Sequence, residues 1–147
     1  MTEVTLTSLA ERIDHLESVQ AITRITNEYC QALDKRDIKR FLSLWAPDAV
    51  FQLAPDQVFE GTDAIRGLVE EGIWPAFAET HHWASNVIVD VDGDNATAVC
   101  DVDASSRRID DSWIRAAATY EDQLVKHQGS WVINRRTTEI HFQEPIG

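Results

Sequence analysis

The chain has 147 residues, 44% of them apolar, 26% charged and 8% aromatic, which is the make-up of one globular domain and excludes collagenous and low-complexity classes. Folding at this length buries roughly two-thirds of the surface the unfolded chain exposes, so Cys30 and Cys100 need no cross-link and the core needs no structural metal. With 13 Lys plus Arg against 25 Asp plus Glu, the formal charge is -12, a field that repels phosphate backbones and anionic lipid and argues against nucleic acid and membrane partners.

Apolar side chains recur at Leu9, Ile13, Leu16, Val19, Ile22, Ile25, Tyr29 and Leu33, every interval being three or four residues, so a long helix is predicted. Ser8 with Glu11 three positions later reads as a capping box at its start. Asp37 is placed to cap a second short helix over Ile38 to Trp45, which Pro47 ends. Two short strands, Ala49 to Leu53 and Gln57 to Glu60, follow around Pro55. A third helix is predicted from Thr62 to about Trp74, with Pro75 forcing its exit.

After Thr80 the pattern changes to alternation, and turn signals at Asp92-Gly93, Asp110-Asp111 and Gln128-Gly129 divide the remainder into about four long strands of an antiparallel meander. Helices first and a meander afterwards is an α+β order, with about three helices covering a curved antiparallel sheet in a single domain over 1-147. Neither a basic start nor an apolar segment occurs from Met1 to Arg12, and no run of about 18 apolar residues exists, so a cytoplasmic location is expected.

Phosphate loops, nucleophile elbows, paired Cys-x-x-Cys and His-Glu-x-x-His strings do not occur, which removes the usual signatures of nucleotide, serine-hydrolase and zinc-protease chemistry. Asp90, Asp92, Asp94 and Asp101 imitate a calcium loop, but the glycine falls at the wrong place and Asp92-Gly93 reads as a hairpin turn, so no metal is expected. His81 and His82 open the first meander strand, and because successive strand side chains point to opposite faces, one of them can face an enclosed space. Asp34 ends the first helix, where a carboxylate is disfavoured by the helix dipole. A helix-to-helix turn is the plain explanation, and a chemical role is the other.

The strings Tyr29-Cys30-Gln31-Ala32-Leu33-Asp34-Lys35-Arg36, Trp74-Pro75 and Glu79-Thr80-His81-His82-Trp83-Ala84-Ser85-Asn86 resemble the SnoaL-like branch of the nuclear transport factor 2-like superfamily, and within it the γ-hexachlorocyclohexane dehydrochlorinase and bile-acid 7α-dehydratase enzymes. The resemblance spans about residues 8 to 142. It implies a cone-shaped sheet, an Asp-His general-base dyad formed by Asp34 and His82, and a substrate pocket that includes Phe51, Trp83 and Arg115, with Arg135 as an alternative cation. Tyr29 stands where the dehydratase has tyrosine and the dehydrochlorinase has lysine. The implied activity is a cofactor-independent lyase, of dehydratase or dehydrohalogenase type, or an isomerase, acting on a small, mostly apolar cyclic substrate. The implied assembly is a homo-oligomer, a trimer. A non-catalytic binding or interaction domain, a polyketide cyclase and an epoxide hydrolase are the competing readings of the same fold.

Overall fold

The computed structural model describes residues 5-146. The first helix, α1, runs Leu6–Asp34, three residues earlier than the Ser8 box predicts, because Thr5 is the capping residue and its side chain accepts from the Ser8 N–H at 3.1 Å. The apolar stripe divides in two. Ile22, Ile25, Tyr29 and Leu33 are buried, whereas Leu9, Ile13 and Leu16 lie on an exposed half of the helix.

The helix ends on a turn that sets the position of Asp34. The Arg36 N–H donates to the Leu33 carbonyl at 3.3 Å and the Asp37 N–H to the Ala32 carbonyl at 2.9 Å, with Arg36 at φ 56°. This is the paired hydrogen-bond pattern of a left-handed helix stop, built here on arginine in place of glycine. The Arg36 guanidinium then donates to the carbonyls of Trp74, Phe77 and Ala78, at 3.3, 2.8 and 3.3 Å, which ties the turn to the start of the meander.

Asp37 caps α2, Ile38–Ser43, through the Arg40 N–H at 3.0 Å. Here the expectation is corrected: Trp45 belongs to β1, Trp45–Ala54, and Pro47 sits within that strand instead of terminating the helix. Strand β2 spans Gln57–Glu60, as predicted. The third helix is also not one piece: α3 covers Gly61–Gly67, a wider π-helical turn covers Leu68–Ile73, and a short turn Trp74–Ala76 carries Pro75. Proline removes one N–H donor and crowds the preceding turn, which fits a loss of regular pitch just before it.

The meander consists of β3 (Phe77–Asp92), β4 (Asn95–Arg108), β5 (Trp113–His127) and β6 (Ser130–Ile146). The last hairpin is a two-residue loop with positive φ at both Gln128 and Gly129, the geometry that matches strand twist. The strands form one open six-stranded sheet in the order β2-β1-β6-β5-β4-β3. Four of the five pairings are antiparallel, but β1 and β6 run parallel, with Trp45 opposite Ile133 and Phe51 opposite Arg136, so the sheet is mixed and not wholly antiparallel. That pairing was invisible as a local pattern because it joins segments about ninety residues apart in sequence. A shift of register between Ser85 and Ile88, with Asn86 at φ 55°, bends β3.

The core lies between the C-terminal half of α1 and the inner face of the sheet. Tyr29, Phe41, Trp45, Phe51 and Tyr120 form an aromatic cluster, with Phe51 stacked on Trp45 at 5.1 Å between centroids and Tyr120 edge-on to Tyr29 at 5.5 Å. Among the described residues no helix is long and apolar enough to cross a membrane.

Candidate active site

The carboxylate that ends α1 meets the first third of β3. His82 Nδ1 lies 2.6 Å from Asp34 Oδ1, the His82 backbone N–H donates to Asp34 Oδ2 at 2.7 Å, and the Thr80 hydroxyl donates to Oδ1 at 2.8 Å. Both side chains are largely shielded, at 11% exposure for Asp34 and 14% for His82. Burial raises the proton affinity of the carboxyl, but the His82 ring, the His82 main-chain N–H and the Thr80 hydroxyl outweigh it and hold Asp34 below the usual carboxylate range. A carboxylate kept ionised accepts a proton-bearing Nδ1, so Nε2 is the unprotonated nitrogen of a neutral ring.

His82 forms part of the wall of a cavity of about 310 Å³ that also includes Tyr29, Leu33, Leu53, Gln57, Ile73, Phe77, Thr80, Ser106, Tyr120, Ile140 and Gln143. Most of that surface is apolar. Its polar lining includes His82 on β3, Ser106 on β4, Tyr29 on α1 and Tyr120 on β5. No lysine or arginine is among the lining residues. Tyr29 is 2% exposed, and burial pushes its phenol up to about 12, against the opposing pull of Arg136 and Tyr120, so it is a donor and not an anion at neutral pH.

Strand alternation explains where Trp83 and Arg115 fall, and packing in the aromatic core explains Phe51. Phe51 is 1% exposed within the aromatic core and does not line the cavity; its strand neighbour Leu53, two positions on, does. Trp83 is one residue from His82 and therefore on the opposite face, 59% exposed and stacked near His81. Arg115 points outward in the same way, donating to Glu144 Oε1 at 2.8 Å, while its neighbours Ile114 and Ala116 face the cavity. Arg135 donates to Gln52 Oε1 at 3.3 Å, away from the cavity lining. His141 sits on the outer surface with its Nε2 2.8 Å from the Thr119 hydroxyl. The aspartate string is a hairpin, Asp92 opposite Asn95, and Asp101 is engaged by Asn86 and Thr119.

Sequence reasoning passed over Thr80, Tyr120 and the buried ion pair Arg136–Asp122. Thr80 was legible, being two residues before His82 and so on the same face. Arg136 was not singled out beside Arg135. It is 0% exposed and donates through Nε and Nη2 to both Asp122 oxygens at 2.7 Å. Cys30 and Cys100 are free buried thiols pushed up to about 11 by burial, and so are unreactive at neutral pH.

An open curved sheet wrapped on a long helix, with a carboxylate–imidazole pair at the cavity wall, defines a SnoaL-like domain. The model of the SnoaL-like domain family matches residues 14–137, and the chain belongs to that family. It is 25% identical over 136 residues to the γ-hexachlorocyclohexane dehydrochlorinase of Sphingobium indicum, covering 91% of this chain and 87% of that protein. Its fold is similar to that of a type 2 hexachlorocyclohexane dehydrochlorinase, with a TM-score of 0.88, 23% identity and coverage of 92% and 93% of the two chains. It is also similar to a Novosphingobium aromaticivorans protein provisionally named a scytalone dehydratase, with a TM-score of 0.83, 27% identity and coverage of 90% of each.

Proposed function

We propose that the protein is a lyase of the dehydratase type, or an isomerase, that works on a small neutral cyclic substrate without a cofactor and uses His82 as general base. The observation that carries this reading is the 2.6 Å contact between Asp34 Oδ1 and His82 Nδ1 at the wall of a mostly apolar cavity. No hydroxyl or thiol stands within the pair's hydrogen bonds in a way that would make a covalent nucleophile, since the Thr80 hydroxyl donates to Asp34. A base without a nucleophile takes a proton and returns it.

In the proposed step, His82 Nε2 removes a proton from carbon beside an activating group. The electron pair of that C–H bond either expels a leaving group from the adjacent carbon or is held on an oxygen until the proton returns elsewhere. Asp34 stabilises the imidazolium as it forms, and Tyr29 donates to the oxygen that gains charge. Such a base contributes roughly 10²- to 10⁴-fold, and the remainder falls to orientation within the cavity. Tyr29 suits an oxygen acceptor, which favours a hydroxylated or keto substrate; the likeness to a dehydrochlorinase keeps chloride elimination as the second reading.

The test is a screen of cyclic hydroxy-ketones and polyhalogenated rings, without added metal or nucleotide, on wild type and His82→Gln. Turnover by wild type that survives in His82→Gln overturns the assignment of the base.

A further inference from the structure

The N-terminal half of α1 carries apolar side chains that its own fold does not bury. Every residue from Leu9 to Glu17 is exposed, and Leu6 stands at 86%, Ile13 at 54% and Leu16 at 66% exposure. At 3.6 residues per turn, the stripe of Leu6, Leu9, Ile13 and Leu16 is centred about 170° around the helix from the buried stripe of Ile22, Ile25, Tyr29 and Leu33. It therefore points away from the body of the molecule. The positions that continue the buried side toward the N-terminus are Thr7, Glu11, Asp14 and His15, all polar, and Asp14 accepts from Lys126 Nζ at 3.3 Å.

We propose that this stripe is an interface for a second copy of the same helix, packed parallel and in register. Its intervals of three, four and three residues put Leu6 and Ile13 at a positions and Leu9 and Leu16 at d positions of a heptad, the seam along which two helices interlock. Gln20, at the next a position, is polar and exposed, so the apolar seam stops there.

The flanking charges select the partner and its direction. Arg12 falls at g and Glu17 at the following e, and in a parallel pair the g side chain of one helix meets the e side chain five positions on in the other. Two contacts of opposite charge result, each between Arg12 of one copy and Glu17 of the other. An antiparallel pair sets g beside g, which brings the two Arg12 cations together.

The need for a partner lies in the helix itself. An unpacked helical segment of about a dozen residues is marginal in water, and its apolar strip gains free energy only when something covers it. Two copies cover each other, and the isologous contact closes as a pair. The seam belongs to the helical layer and not to the outer face of the sheet that carries Trp83, so it adds to any contact made there. Leu6, Leu9 and Ile13 also precede residues 14–137, the part matched by the SnoaL-like family model, which makes the seam a feature of this chain.

The test begins with sedimentation velocity of wild type and of Ile13→Lys with Leu16→Lys, from low to high micromolar concentration. Wild type is expected to show a concentration-dependent step to larger mass that the variant, with its fold intact by circular dichroism, lacks. Equal masses throughout would leave the seam to a different protein and overturn the proposal. Direction is read by mild oxidation of single-cysteine variants, since the native Cys30 and Cys100 are buried. Leu16→Cys is expected to link two copies, because equal d positions meet in a parallel pair, whereas Glu11→Cys is not. Linking at 11 as readily as at 16, or at neither, refutes the parallel seam. Arg12→Glu and Glu17→Arg should each weaken association by roughly threefold to tenfold, and the two together should restore it. A double variant as weak as the single ones refutes the charge pairing.

Discussion

Asp34 holds His82 at two points, accepting from its main-chain N–H through one carboxylate oxygen and meeting its ring through the other. The same carboxylate thus pins β3 at His82 and sets which ring nitrogen faces it. Replacing it is therefore expected to act on both the tautomer and the ring's position.

Asp34→Asn and His82→Gln should each lower kcat by about 10²- to 10⁴-fold, since an amide at 34 can present a donor where the ring needs an acceptor and so favour the wrong tautomer. Steady-state kinetics on a substrate from the screen, with circular dichroism to show an intact fold, decides it. A loss confined to KM would mean that the pair only binds.

Neighbouring positions on β5 offer a sharper contrast. Ala116 faces the cavity and Arg115 faces Glu144, so Ala116→Leu should raise KM or block turnover, while Arg115→Ala should leave kcat/KM within about twofold. Equal effects from the two changes would contradict the orientation of the strand.

The low proton affinity of Asp34 has a sign. Because its folded-state pKa lies below the unfolded value, the carboxylate contributes stability that is present above the ordinary carboxylate range and is lost as the pH falls through the depressed value. Urea denaturation of wild type and Asp34→Asn should therefore show a stability gap at neutral pH that closes as the solution is acidified. A gap that widens toward acid would exclude this linkage.

The outer face of the sheet exposes Trp83 at 59%, Ile88 at 62% and Phe142 at 42%. Apolar side chains on the face opposite the core suit burial between copies, and a homotrimer is the expected state. Light scattering at micromolar concentration that returns the mass of one chain would refute it.

What the sequence disclosed follows the range of each signal. The four long strands were legible because alternation and the paired turn residues at 92-93, 110-111 and 128-129 act within a few positions. His82 and Asp34 could be singled out by resemblance, and alternation alone left His81 and His82 equivalent. Local reading failed where a distant partner decided the outcome: Trp45 looked helical until its pairing with Ile133 drew it into a strand, and Pro47 lost its role as a stop. Trp83 and Arg115 were misplaced because their faces depend on where each strand starts, and a shift of one residue exchanges inside for outside, whereas Phe51 faces inward but is taken up by the aromatic core. Arg136 was missed because a buried cation is recognisable only with Asp122 beside it.

The parallel pairing of β1 with β6 has a consequence for how the molecule is made. In chain order β6 is the sixth strand, yet in the sheet it lies between β1 and β5, so the middle of the layer is filled by the last of the six strands to be translated. Until it arrives, the hairpin β1–β2 and the meander β3–β5 present two unpaired edges to each other, and the inner face that covers α1 is divided. Final consolidation must wait for contacts of long sequence separation, which places folding in the slow regime of non-local topologies. A nascent chain that lacks the residues after Gly129 would expose two strand edges flanked by an apolar surface, the condition under which strands pair with the wrong partner.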